Sequence, residues 1–206
     1  GGGARYVGQT GAGGNPGAGG YGGFGVNIGP LVGPANTALG YPGPHPAGTT
    51  GQYVAGGGGG AGYHPVGNQG GRGGQFTGPT TVSDPAAPYA GAGYGGAFPS
   101  GGSQGTDAKM NSGSGGGGVS PTDPQNPRGY AGGSGLVVFR YKIGSAGGTK
   151  ATGGLVSHTS TNTVHTFTKS GTFTVTSPTL TSISYLAIGG GGGGGVNMQY
   201  NQGSGG

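Results

Sequence analysis

The chain has 206 residues, of which 63 are glycine, 15 are proline and none is cysteine; only 29% are hydrophobic and 5% charged. That composition excludes a single conventional core of this length and a disulfide framework, and it lies far below the ~25% charge of ordinary domains, so a highly charged solvated chain is excluded as well. The net charge of +5 comes from eight dispersed Lys and Arg against Asp84, Asp107 and Asp123; with no basic run it reflects scarce acids, not a nucleic-acid footprint.

Residues 1–135 are low in complexity. Glycine near one third suggests collagen, but residues 56–60 and 189–195 are unbroken glycine and the Gly-X-Y period is absent. Pro-bearing segments such as Tyr41-Pro42-Gly43-Pro44-His45-Pro46 separate the glycine runs. No helical period appears, and Gly and Pro at this density predict no α-helix. Two readings fit such a region. One is a chain without fixed structure. The other is a bundle of polyglycine-II-type extended legs, three residues per turn, close enough to exchange backbone hydrogen bonds. One such bond contributes about 1 kcal/mol net against about 1–2 kcal/mol of ordering entropy per residue, so only legs pooled in a bundle can order. We take the ordered bundle forward. Single aromatics spaced between the legs, Tyr41, Tyr53, Tyr63, Tyr89 and Tyr94 among them, are then candidate surface contacts at loop tips.

The texture changes at Leu136. Residues 136–143 alternate as a strand, with Val137, Phe139, Tyr141 and Ile143 on the expected core face. Residues 144–154 predict a loop, 155–160 a weaker strand, and 183–188 the last strand. Between them, residues 163–176 predict a β-hairpin. A three-residue loop, Lys169-Ser170-Gly171, places Gly171 where a positive φ is needed. It pairs Phe167 with Phe173, His165 with Val175, Thr166 with Thr174 and Thr168 with Thr172. One face is then apolar and aromatic; the other is a threonine ladder. The fold class expected is all-β: a small antiparallel β-sandwich module at 136–188, a glycine-rich region at 1–135 and a glycine-rich continuation at 189–206. A module this small leans on its neighbours.

Val164-His165-Thr166-Phe167-Thr168-Lys169-Ser170-Gly171-Thr172-Phe173-Thr174-Val175, then Ser184-Tyr185-Leu186-Ala187-Ile188 running into the glycines of 189–195, resembles a glycine-rich domain recurrent in phage tail and virion proteins and in environmental bacterial surface-fibre proteins. Residues 132–141 are similar to the segment by which that family re-enters its sheet, so the resemblance covers about residues 132–195. It implies a structural or adhesive role at an extracellular or virion surface, and brings no catalytic residues. Both ends of the chain lie in glycine. We therefore expect a piece of a longer polypeptide, one period of a tandem array or one subunit of a stacked filament.

Chemistry is sparse by comparison. His45, His64, His158 and His165 lack metal-ligand spacing, and His165 is expected to be packed. Three dispersed aspartates do not make a paired-carboxylate site; Asp84-Pro85 and Asp123-Pro124 read as turn starters. Gly71-Arg72-Gly73-Gly74 is one RGG-like fragment, too little to predict RNA binding, and the threonine ladder is more simply a solvated strand face than an ice-binding one. No apolar run approaches the ~18 residues of a membrane span. The sequence thus predicts no enzyme, cofactor, metal or nucleic-acid partner. It predicts a self-assembling fibre unit whose partner is itself. The alternative is an adhesin module whose leg tips contact a host cell-surface glycan or protein.

Overall fold

The computed structural model describes residues 3–4, 8, 19–33, 41–44, 50–63, 89–98, 104–119, 128–144, 148–196 and 205–206. Its strands are β1 (Val26–Asn27), β2 (Tyr41–Pro44), β3 (Thr50–Val54), β4 (Gly62–Tyr63), β5 (Ala97–Phe98), β6 (Leu136–Lys142), β7 (Ala151–Thr152), β8 (Leu155–His158), β9 (Asn162–Phe167), β10 (Thr174–Val175) and β11 (Ser184–Ile188). The protein is all-β, with sheets antiparallel except for the short β4–β5 pair. One exception corrects the expectation of no helix: a single turn, α1 (Gly29–Val32), carries Pro30 in its first turn. Proline is tolerated there because the amide it lacks would have no intrahelical partner.

β6 is the strand around which the sheet is built. Val137, Val138 and Phe139 are β-branched or aromatic and suit a pleated surface covered on both sides. The order is β11-β6-β9-β8. Leu186 pairs with Val138 on one side and Thr166 with Val138 on the other. Leu136, Val138 and Val164 therefore share a face. They meet Ile28 and Val32 from α1 and its cap, and Val54 from β3, in one buried cluster with Leu186 and Ile188 packed beside it. The deepest face is thus the opposite of the one expected from Val137, Phe139 and Tyr141. The reason is tertiary: alternation shows that a strand has two faces, and the remote segment 26–54 decides which is sealed more tightly. The core consequently spans the composition boundary at residue 135.

The expected hairpin of 163–176 is not formed. β9 has β6 on one edge and β8 on the other, with His165 opposite both Phe139 and Val156. No edge of β9 remains for residues 172–176. These instead cross to a two-stranded sheet, Thr174 against Thr152 and Val175 against Ala151. Phe167 pairs with Val137, not Phe173. Gly171 is not among the glycines with positive φ; a side chain there would press on the Phe167 ring. The threonine ladder is dispersed too: Thr166 is buried at 3% exposure, whereas Thr168, Thr172, Thr174 and Thr176 are exposed elsewhere.

Because Ile28 contributes a fully buried side chain to a core shared by β3 and β6, Ile28→Ala is expected to cost about 2–5 kcal/mol. Amide exchange followed by residue should show protection falling in β6 as well as in β3. Loss confined to β3 would mean that the two segments do not unfold together.

Candidate functional site

The glycine segments are connected through their backbones with a period of three. In residues 56–62, Gly57 and Gly60 donate to the carbonyls of Gly23 and Gly20, Gly58 donates to Gly206, and Gly59 and Gly62 donate to Gly93 and Gly96. Successive residues thus address different neighbours, and every third residue returns to the same one. Residues 113–119 behave likewise: Gly115 and Gly118 donate to Gly56 and Gly59, Gly116 and Val119 to Gly192 and Gly195, and Gly117 to Thr106. An extended chain with threefold symmetry presents its amides in this rotation.

The bonds close into rings. Residues 56–62 donate to 91–96, which donate through Gly93 and Gly96 to Gly115 and Gly118; the leg 113–119 donates back to Gly56 and Gly59. The same leg takes part in a second ring. Gly116 donates to Gly192, Gly191 to Gly133, and Gly133 to Ser114. Residues 113–119 are therefore the hub. Ser114, fully buried, adds a side-chain link: its Oγ accepts from the Gly56 amide at 3.0 Å and donates to the Ala90 carbonyl.

Close approach is what requires glycine here. A Cβ on Gly58, Gly116 or Gly117 would lie less than 3.0 Å from the carbonyl oxygens of Gly116, Tyr130 and Tyr94 respectively. Those atoms are backbone and cannot yield as a flexible side chain can. Tyr53 and Tyr94, expected as surface contacts, are buried at 6% and 8% exposure. They sit in the two segments, 50–63 and 89–98, whose glycine legs lie inside the bundle, so their rings are covered. Tyr41, Tyr63 and Tyr89 lie in β2, in β4 and in a 3₁₀ turn at Tyr89–Gly91; their side chains are outside the described residues.

The second face of β6 holds an aromatic group. Phe173 stacks on Phe139 at 4.6 Å between ring centroids and meets His165 edge-on at 5.2 Å. Phe167 meets Phe139 edge-on at 5.9 Å. His165 is fully buried. Its Nδ1 lies 2.7 Å from the Gly153 carbonyl, which can only accept, so Nδ1 carries the proton. Nε2 then accepts from the Tyr141 hydroxyl at 3.0 Å. That hydroxyl in turn accepts from the amides of Lys150 and Ala151. The histidine is a structural bridge with both nitrogens engaged. Val175, the residue expected opposite it, is half exposed in β10.

His158 faces Thr163, while His45, His64, Asp84, Asp123 and the 71–74 fragment lie outside the described residues. Asp107 accepts from the Ala131 amide. Among the described residues no group of three His, Cys, Asp or Glu side chains is placed to hold a metal ion, and no helix is long and apolar enough to cross a membrane. Sequence reading missed one association: Arg140, Lys142 and Lys150 line a common hollow. The signal available was that no acidic side chain follows Asp123. No protein-family model, curated protein or solved structure matches this chain.

Two substitutions test the packing. Gly117→Ala places a methyl against the Tyr94 carbonyl at the hub, and should destabilise by about 1–3 kcal/mol or more. Thr166 buries a hydroxyl that has no hydrogen-bond partner among the described residues. Thr166→Val keeps the shape and removes the unpaired oxygen, and is expected to stabilise by about 1 kcal/mol. Denaturant midpoints of the two variants should move in opposite directions.

Proposed function

We propose that this chain is a structural, self-assembling unit of an extracellular or virion fibre, a subunit or a tandem repeat, built as a polyglycine-II bundle joined to a small β-sandwich. One observation carries the reading. The buried legs keep glycine where any side chain would strike a neighbour, but the outer leg 189–195 keeps it at positions where nothing among the described residues demands it. Gly191 and Gly194 face inward, against the carbonyls of Ser114 and Gly117. Gly189, Gly190, Gly192 and Gly193 are exposed. Among the described residues a Cβ at Gly189 meets nothing within 4 Å, and at Gly190, Gly192 and Gly193 it meets ordinary contacts at 3.5, 3.7 and 3.5 Å.

Glycine in an ordered segment costs roughly 0.5–1 kcal/mol relative to alanine. A further leg from a second copy, packed on this side at the spacing found inside the bundle, supplies the missing reason. The leg would donate amides to its visitor as Gly191 and Gly194 donate to the carbonyls of Gly133 and Tyr130. The burial of Tyr53 and Tyr94 in turn removes two of the aromatics on which an adhesin reading through loop tips relied.

The triple variant Gly190→Ala, Gly192→Ala, Gly193→Ala tests the proposal. Its melting temperature should equal or slightly exceed that of the parent, since the methyl groups fit and the unfolded chain loses freedom. Its assembly should fail. Sedimentation velocity and negative-stain images of both proteins across a concentration series decide the matter. A variant that forms fibres like the parent, or a parent that stays monomeric throughout, overturns the reading.

A further inference from the structure

The Lys142 end of β6 opens into a hollow of about 480 Å³. Its walls include Arg140, Lys142, Lys150, Asn162, Thr179 and Ser184. Three of the chain's eight basic side chains thus border one concavity. Among the described residues no carboxylate lines the hollow: Asp107 is committed to the Ala131 amide, and no acidic side chain occurs in the sequence after Asp123. Lys142 is exposed; Arg140 and Lys150 are half-buried. One Arg140 nitrogen donates to the Pro30 carbonyl at 2.9 Å, which fixes the guanidinium and leaves its other donors.

The walls are held from several directions. The Lys150 amide donates to Tyr141 Oη, and the Lys150 carbonyl accepts from the amides of Thr176 and Ser177. Lys142 and Asn162 are paired across β6 and β9, and Arg140 and Ser184 across β6 and β11. The Leu180 amide closes a turn on the Ser177 carbonyl, with Ser177 Oγ and Thr179 Oγ1 2.9 Å apart. The backbone around the cations is therefore set before any ligand arrives, which lowers the cost of binding.

We propose that this hollow binds an acidic sugar unit of an anionic polysaccharide. Uncompensated cations in a concavity attract sulfate or carboxylate groups. The hydroxyls of Thr179 and Ser184 and the Asn162 amide match the ring hydroxyls of a sugar. The volume is that of a small-molecule site. Among the described residues the one aromatic on its wall, Tyr141, is buried at 3% exposure, so these walls offer no ring for a nucleic-acid base to stack on.

The site is independent of the glycine leg implicated in assembly, and the test uses the full chain. Titration with heparin oligosaccharides supplies sulfate and carboxylate, oligogalacturonate supplies carboxylate alone, and dextran is the neutral control. A single-stranded oligonucleotide of similar charge is the competitor class. One or both acidic sugars should bind, and dextran should not. Which of the two binds tighter identifies the charged group. Lys142→Gln with Lys150→Gln should weaken binding at least about tenfold, and should lower the dependence of log affinity on log salt by about one per lysine removed. Lys169→Gln, outside the hollow, should leave both unchanged. Circular dichroism checks that the variants fold, and Lys142→Gln alone, at an exposed position, keeps the test valid if the double variant does not. Absence of binding to both acidic sugars, equal binding of dextran, an oligonucleotide bound as tightly as the sugars, or equal loss on Lys169→Gln would each overturn the proposal.

Discussion

The structure depends on direct hydrogen bonding between main chains brought closer than any side chain permits. A buried amide must be paired, and in a sheet each strand has two neighbours to pair with. A segment whose amides address different neighbours with a period of three has more. Residues 113–119 use that freedom fully, sending amides to residues 56–59, 106, 134 and 192–195. The cost is that the contact surfaces must be bare. The carbonyls of Tyr94, Tyr130 and Gly206 occupy the space that Cβ atoms on Gly117, Gly116 and Gly115 would claim. Because the bonds close into rings, loosening one leg leaves donors unpaired on its neighbours, and the bundle orders or fails as a unit. That cooperativity is what lets bonds worth about 1 kcal/mol each outweigh the entropy of so much glycine.

The turns that feed the legs carry a recognisable conformation. Ala55, Ala90 and Asn111 have positive φ, as do Gly91, Gly113 and Gly129, and each lies at the start of a leg. For alanine that region costs on the order of 1–2 kcal/mol. It persists because the surroundings determine it: the Ala55 amide donates to the Ser112 carbonyl, and the Ala4 amide donates back to Ala55. Ser112 extends the same joint, its Oγ donating to the Lys109 carbonyl and accepting from the Ser114 amide. Strain at the corners is offset by pairing in the legs.

Strands with strong apolar and β-branched runs were legible in the sequence. β6, β8 and β11 lie within the segments their composition marked, because burial on a pleated surface writes a local pattern. The partner of residues 163–167 was not legible. A glycine-containing loop between two alternating runs is a sound local argument for a hairpin, but it holds only if the strand edge is free, and residues 136–142 and 155–158 take both edges of β9. The burial of Tyr53 and Tyr94 was hidden for a related reason, since nothing near them in sequence shows which legs are interior. The turn of helix at Gly29–Val32 rests on Ile28 and Val32 reaching the core, a tertiary gain that outweighs poor propensity. The basic hollow draws Arg140 and Lys142 from β6 and Lys150 from the connection that follows it, so charge counting along the chain saw only dispersion.

Glycine legs carry little information about register. Sliding one leg past another by three residues restores the same bonds, and no side chain objects. A β-sheet is the reverse: a one-residue slip would move Val138 and Val164 out of the core. The two parts of this chain therefore have complementary roles. The legs supply many equivalent contacts, and the non-glycine residues at their ends, Ala55, Ser112, Ser114 and Val119, together with the apolar core of Ile28, Val54 and Val138, fix which of the equivalent arrangements is adopted. The outer leg 189–195 departs directly from β11, whose pairing with β6 runs to Ile188 opposite Leu136. Its starting point is set by the sheet to the residue. A further leg laid along it would inherit that registration from the core beneath, and a bundle of nearly featureless chains could then grow without accumulating slips.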